Sequence, residues 1–77
     1  MTLTQIMQEM SKIPYTTLQA FIEASYSDKE YADFHERSVR ECSRSHDPKG
    51  FRINEILANI FYGDEDAIVE FIKQNLT

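Results

Sequence analysis

The sequence predicts an all-α fold, a compact bundle of four to five short helices that forms a single helical domain over residues 1–77. Apolar residues recur every three or four positions along most of the chain, which is the period of a helix and not of a strand. The chain has two Gly and two Pro, too few for a low-complexity segment. Its hydrophobic content of 42%, with five Phe and four Tyr, is too high for a disordered chain.

A proline separates the first two predicted helices. Pro14 lacks an amide N–H and disfavours helical geometry at Ile13, so we expect the chain to break there. Before the proline, one helical stripe contains Leu3, Ile6, Met7, Met10 and Ile13. After it, a second stripe contains Tyr15, Leu18, Phe21, Ile22, Ser25 and Tyr26, which predicts a helix over residues 15–26.

A capping box predicts the start of the third helix. In Ser27-Asp28-Lys29-Glu30, the Ser27 hydroxyl and the Glu30 carboxylate can each accept a hydrogen bond from a free amide at the helix start. The helix is predicted over residues 28–45. The residues expected on its inward half are Tyr31, Phe34, His35, Ser38, Val39, Cys42 and His46.

Proline and glycine mark the ends of the last two helices. A loop is predicted over residues 46–50, where Pro48 stops the third helix and Gly50 tolerates left-handed backbone angles. The fourth helix carries an apolar stripe of Ile53, Ile56, Leu57, Ile60 and Phe61. Gly63 suits the position just past its end, and Asp64 can cap a fifth helix. The stripe of that helix contains Ile68, Phe71, Ile72 and Leu76.

Positive charge is concentrated in the middle of an acidic chain. The net charge is −5, yet residues 35–52 sum to +2. Four side chains on the outward half of the third helix form what we call the basic stripe: Lys29, Arg37, Arg40 and Arg44. This spacing can meet phosphates or partner carboxylates. The alternative is a solvated face on which Asp33 pairs with Arg37 and Glu36 with Arg40, each four residues apart. The net charge of −5 also weighs against nucleic-acid binding, because the phosphates repel an acidic chain.

Carboxylates form a second candidate surface near the start of the fifth helix. Carboxylates in the first turn of a helix stabilise it through the helix dipole, and this local effect accounts for much of the acidic pattern. The functional alternative is an acidic face that docks on a basic partner or imitates a row of phosphates. We expect the acidic face to contain Glu55, Asp64, Glu65, Asp66 and Glu70, together with Glu23.

Catalytic, metal and helix-turn-helix functions are not expected. Cys42 and His46 are four residues apart and could reach one metal ion or act as a nucleophile and its base. However, His35 lies roughly 10 Å away along the helix axis, and no second Cys/His pair completes a site. A helix-turn-helix reading would place Asp28, Glu30 and Asp33 against phosphates. The sequence therefore predicts no enzyme activity, no metal and no cofactor.

The cysteine count and the apolar runs predict the setting of the protein. A lone Cys42 cannot form an internal disulfide, which favours a reducing compartment, and we expect a soluble cytoplasmic protein. The first ten residues lack the charged start and apolar stretch of a signal peptide. No apolar run exceeds three residues, so no membrane association is expected.

These observations predict a protein-protein interaction module. We expect this small acidic helical chain to act as an inhibitor or accessory subunit of a larger nucleic-acid-handling protein. Phages and mobile elements encode inhibitors and accessory subunits of this kind. Phe51 and Tyr62 lie away from the core stripe of the fourth helix, so they either cover the ends of the bundle or are candidate anchors for a partner. The alternative is a helical nucleic-acid-binding module that uses the basic stripe. A homodimer is a third reading, because a monomer of this size is only marginally stable.

Overall fold

Five α-helices follow one another in the predicted order, and the computed structural model describes residues 1–76. No strand occurs in that range, so the predicted all-α fold is confirmed. The chain breaks between α1 and α2 at Pro14, as expected. The elements are α1 (Leu3–Met10), α2 (Tyr15–Ser25), a 3-10 turn (Lys29–Tyr31), α3 (Ala32–Arg44), α4 (Pro48–Glu55), a π-helical segment that continues α4 (Ile56–Ile60) and α5 (Glu65–Asn75).

Side chains cap the first and last helices. The Asp64 carboxylate accepts a hydrogen bond from the Ala67 amide at 3.3 Å, which confirms the predicted start of α5. At α1, the Thr2 hydroxyl accepts from the Gln5 amide at 3.2 Å, and the Gln5 side chain accepts from the Thr2 amide at 2.9 Å. This capping box was not predicted, although Thr-x-x-Gln has the required form.

The capping box expected at Ser27 does not form. The Ser27 hydroxyl instead donates to the Ala24 carbonyl at 3.0 Å, back toward the end of α2. Asp28 is the cap, and its carboxylate accepts from the Glu30 amide at 3.3 Å. The cap therefore starts a 3-10 turn, and α3 begins four residues later than the single helix predicted over 28–45.

The loop expected over residues 46–50 is shorter than predicted. Pro48 starts α4 because a proline fits the first helical position, where the missing N–H would have no partner. The Asp47 carboxylate caps this helix by accepting from the Gly50 amide at 3.0 Å. A Cβ at Gly50 would collide with that carboxylate. Gly50 thus leaves room for the capping carboxylate, and its backbone angles are not left-handed.

The core is centred on α4, which packs against α2 and α3, while α1 packs mainly against α5. Phe21 of α2 and Phe71 of α5 place their ring centroids 4.4 Å apart. Phe61 packs beside both rings, with centroids 5.5 Å and 5.8 Å away. The buried core residues are Ile6, Met10, Ile13, Leu18, Ile22, Tyr26, Ile53, Ile56, Ile68, Phe71 and Ile72.

Several residues of the predicted apolar stripes are exposed. On α1, Leu3 is 68% exposed and Met7 39% exposed, because α5 covers only part of that helix. On α3, only Ser38 and Cys42 are buried, because this helix meets the rest of the bundle along a narrow seam with α4. The remaining exposed members of the stripes are Tyr15, Ser25, Tyr31, Phe34, Val39, His46 and Leu76.

Two consecutive residues with left-handed backbone angles, Tyr62 and Gly63, follow shortly after the π-helical segment. The Phe61 amide donates to the Ile56 carbonyl at 3.0 Å, a bond that spans five residues. Gly63 has φ of 75°, which confirms its predicted place past the helix end. Tyr62 has φ of 53°, an unfavourable conformation for a residue with a side chain.

None of the helices within residues 1–76 combines the length and apolar character needed to cross a membrane.

Candidate functional site

The basic stripe lies in solvent. Within residues 1–76, none of its four side chains forms a hydrogen bond or an ion pair. The local pairs expected from Asp33 and Glu36 are therefore not formed, and the stripe presents unneutralised positive charge. Its exposed members are Lys29 in the 3-10 turn and Arg37, Arg40 and Arg44 on α3.

Most of the acidic face is also exposed. Asp64 caps α5, and Glu70 accepts a hydrogen bond from the Gln74 amide group at 3.2 Å. Glu65 lies 3.0 Å from the ammonium group of Met1. The exposed carboxylates are Asp64, Glu65, Asp66 and Glu70 at α5, with Glu23 on α2.

Glu55 does not belong to the acidic face. It is 4% exposed and lies in the interior, on the face of α4 that also buries Arg52, Ile53 and Ile56. One carboxylate oxygen is 2.7 Å from Arg52 Nη1, and Arg52 itself is 1% exposed. The other oxygen accepts a hydrogen bond from the Ser38 hydroxyl of α3. The expectation that Glu55 is a surface contact is therefore wrong, and its carboxylate joins α4 to α3.

The buried ion pair is part of a larger polar cluster. Arg52 Nη1 also donates to the Ser38 hydroxyl at 3.0 Å, and the Tyr15 hydroxyl lies 3.6 Å from Cys42 Sγ. Burial lowers the pKa of Arg52, but the contacts with Glu55 and Tyr15 outweigh it and leave that pKa above its usual value. The hydrogen bond with Cys42, followed by burial, raises the pKa of Tyr15.

Cys42 and the two histidines lie in different environments. Cys42 is 3% exposed and donates weakly to the Pro48 carbonyl oxygen at 3.8 Å. His46 is exposed, whereas His35 is half-buried beside Tyr26, with ring centroids 6.0 Å apart. No group of three potential metal ligands occurs in the part of the chain that the structure describes.

Two grooves lie on either side of the π-helical segment. The central groove, between α3 and α4, has a volume of about 420 Å³ and contains the buried Ser38–Glu55 contact at its wall. Its other lining residues are Phe34, Arg37, Glu41, Phe51, Asn54, Ala58 and Asn59. The α1 groove, of about 510 Å³, is mainly apolar. It is lined by Met1, Leu3, Ile6, Met7, Asn54, Leu57, Ala58, Gly63, Glu65 and Ile68.

A smaller aromatic pocket, of about 190 Å³, adjoins the central groove. Four of its five lining residues are aromatic: Tyr26, Tyr31, Phe34 and Tyr62, with Asn59 as the fifth. The ring of Tyr26 meets that of Phe34 at 5.2 Å and 62°, and that of Tyr31 at 6.1 Å and 44°. Burial, together with the nearby charge of Glu55 and the proximity of Tyr62, raises the pKa of Tyr26 to about 12.

The three depressions form one continuous surface, which we call the groove face. Asn54 and Ala58 line both the central and the α1 groove. Phe34 and Asn59 line both the central groove and the aromatic pocket. Ala58 and Asn59 belong to the π-helical segment, so this segment forms the middle of the face.

The sequence indicated only parts of the groove face. Tyr62 is 81% exposed, as expected for a candidate anchor, whereas Phe51 is half-buried in the wall of the central groove. Leu3, Met7 and Phe34 were assigned to the core because they follow the helical period. Period alone cannot show that a stripe has no neighbour to cover it.

Comparison of the chain with protein-family models, curated proteins and solved structures gave no match.

Proposed function

We propose that the chain is a protein-protein interaction module that binds a larger protein through the groove face. The observation that carries this proposal is the exposure of large apolar side chains along one continuous surface. Among them, Leu3 is 68% and Tyr62 is 81% exposed. Soluble monomers rarely leave such a patch uncovered unless it serves a purpose.

The composition of the groove face supports a protein partner. Aromatic and Met side chains are enriched at interfaces, where they bury large areas and adapt to the partner's shape. Met1 and Met7 line the α1 groove, and Tyr31, Phe34 and Tyr62 line the aromatic pocket. Polar groups between them, such as Asn54, supply hydrogen bonds that fix orientation.

Charge favours a partner with a basic surface. The chain carries −5 overall, and Glu65 lines the α1 groove next to the exposed carboxylates of Asp64 and Asp66. Proteins that handle nucleic acids carry basic surfaces that meet phosphates. By occupying such a surface, the chain would act as an inhibitor or accessory subunit of a nucleic-acid-handling protein, without enzymatic activity of its own.

Site-specific crosslinking tests this proposal. A photo-crosslinking residue at Ala58, which lines two grooves, should capture one partner from a lysate of the source organism in a stoichiometric complex. The same residue at Thr16, an exposed position of α2 that lines none of the three depressions, should capture none. Leu3→Gln should abolish capture from Ala58. Equal capture from Thr16, or none from Ala58 at low salt, would contradict the proposal.

The exposure of the basic stripe supports a second candidate function, which is nucleic-acid binding. Arg37, Arg40 and Arg44 are free to meet successive phosphates because no carboxylate within residues 1–76 pairs with them. This function predicts that fluorescence anisotropy of labelled DNA or RNA rises with protein at low salt and falls steeply as salt increases. Replacing the three arginines with Glu should abolish binding while the circular dichroism spectrum is unchanged.

Light scattering distinguishes self-association through the groove face from both of these functions. A mass of one chain at high concentration excludes a stable homodimer. A mass of two chains that reverts to one on Leu3→Gln would show that a second copy covers the face.

A further inference from the structure

We infer that the α1 groove binds an amphipathic, basic α-helix of the partner protein. This inference rests on the proposed function, because it names the partner segment that one part of the groove face accepts. Three features of the groove carry it. They are an apolar lining with exposed, flexible side chains, walls formed by helices, and a carboxylate at the rim.

The lining of the α1 groove offers positions for apolar side chains of a partner. Seven of its ten residues are apolar, and they come from α1, the π-helical segment and α5, together with Met1. Leu3 is 68%, Met1 52% and Met7 39% exposed. Two of these three residues are methionines, whose flexible thioether side chains adapt to the shape of what they contact. The groove therefore has room for apolar anchors that this chain does not supply itself.

The architecture around the groove favours a helix as the occupant. One wall is α1, and the other is the π-helical segment with the start of α5. A helix packs between two such walls through side chains at i, i+3, i+4 and i+7. Other common modes of peptide recognition need features that are absent within residues 1–76. No strand offers a sheet edge, and neither an aromatic ring for a polyproline segment nor an arginine for a phosphorylated one lines the groove.

The charge at the rim favours a basic helix. Glu65 lines the groove, and its side chain is 56% exposed. No Lys, Arg or His side chain among residues 1–76 lines the groove. Asp64 and Asp66, which flank Glu65 in the chain, are exposed as well. A negative rim speeds association with basic segments and discriminates against acidic ones.

The Met1 ammonium group shows that a cation fits at this rim. It lies 3.0 Å from Glu65 Oε1, while the Met1 side chain lines the groove. Both partners of this pair are exposed, so the pair contributes little to stability. Glu65 Oε2 and the Asp66 carboxylate have no partner within residues 1–76. Both remain open to lysine or arginine side chains at the edge of a bound helix.

A second copy of this chain does not supply such a helix. The exposed helix α3 has no net charge, because Arg37, Arg40 and Arg44 are balanced by three carboxylates: Asp33, Glu36 and Glu41. Within residues 1–76, α4 alone among the α-helices has a net positive charge, and α4 is the centre of the core. The groove therefore favours a helix from a different protein.

A selection from a displayed library of random peptides tests the inference without assuming a sequence. Peptides retained by the immobilised protein at low salt should carry apolar residues at i, i+3 or i+4, and i+7, with Lys or Arg between them. The enriched peptides should become helical on binding, as measured by circular dichroism. They should also shift the NMR resonances of residues that line the α1 groove. Enrichment of acidic, proline-rich or unpatterned sequences would overturn the inference.

One pair of variants locates the apolar contact. Leu3→Gln removes an exposed anchor and should weaken binding of an enriched peptide about tenfold or more, since burial of a leucine contributes a factor of that size. Val39→Gln is the matched control, because Val39 is an exposed apolar residue of α3 that lines none of the depressions. Binding should be unchanged in that variant. Equal affinities of the two variants would contradict binding in the α1 groove.

A second pair of variants tests the charge. Glu65→Gln should weaken the same peptide about two- to fivefold at low salt, which is the range of an exposed ion pair, and by less at high salt. Glu70→Gln removes the same charge from an exposed position of α5 outside the depressions. It should leave the affinity unchanged. If the two substitutions have equal effects, the rim does not select a basic helix and the inference is wrong.

The outcomes separate this inference from the proposed function. Basic helical peptides that require Leu3, with no partner captured from Ala58, support the inference and contradict the proposed function. A captured partner, with enriched peptides that bind Leu3→Gln as tightly as the wild type, overturns the inference alone. A mass of two chains that persists with an enriched peptide but is lost in Leu3→Gln would assign the groove to a second copy instead.

Discussion

Removing the Glu55 carboxylate should strongly destabilise the fold. In Glu55→Leu, the Arg52 guanidinium, 1% exposed, would lose the oxygen 2.7 Å away and stay buried without a counter-charge. Breaking such a pair costs about 3–5 kcal/mol. A chain of 77 residues has a free energy of unfolding of about 4–11 kcal/mol, so the variant should lose about a quarter of it or more. At about 4–8 °C per kcal/mol, the melting temperature should fall by about 12–40 °C.

The double variant Arg52→Met/Glu55→Leu distinguishes charge burial from lost packing. It removes both charges and retains apolar volume, so its stability should lie within about 1 kcal/mol of the wild type or exceed it. Urea denaturation followed by circular dichroism measures the whole cycle. Glu36→Leu, at an exposed position of α3, is the control and should change stability by less than about 0.5 kcal/mol. A loss below about 1 kcal/mol in Glu55→Leu, or an equal loss in the double variant, would refute the reasoning.

Three further predictions concern the ends of helices and the aromatic pocket. Tyr62→Gly should raise the free energy of unfolding by about 1 kcal/mol, because glycine adopts φ of 53° without strain; calorimetry showing a lower melting temperature would contradict this. Asp64→Ala removes the cap that accepts from the Ala67 amide and should cost about 0.5–2 kcal/mol in urea denaturation, whereas Asp64→Asn should retain most of it. Burial raises the pKa of Tyr26 from 10.0 to about 12, so the folded state holds this proton more tightly than the unfolded state. Stability should therefore decline as pH rises from 10 to about 12, and a denaturation series in Tyr26→Phe should show a smaller decline than the wild type.

Helical periodicity predicted the fold because most stripe residues are at least partly buried where the pattern places them. Ile6, Met10, Ile22, Ile68 and Ile72 all lie in the core. The Asp64 cap and the Gly63 position could also be predicted, because the interactions involved are local in sequence.

The candidate site depends on interactions that are distant in sequence, and much of it could not be predicted. Glu55 has the composition of a surface residue, and only the approach of Ser38, 17 positions earlier, shows that it is buried. Leu3 and Met7 look like core residues, and only the placement of α5 shows that they are left uncovered. The aromatic pocket likewise depends on Tyr62 meeting rings that lie 28 to 36 positions earlier in the chain.

The π-helical segment makes the groove face depend on chain length as well as on residue type. A turn closed by the bond from Phe61 to Ile56 holds one residue more than an α-helical turn. Deleting a single residue from Ile56–Ile60 would restore the α-helical turn and rotate every side chain after it by about 100° about the helix axis. Tyr62 would then leave the pocket while its chemical identity stayed the same. An insertion or deletion at this one turn would thus change the shape of the groove face without any substitution in it.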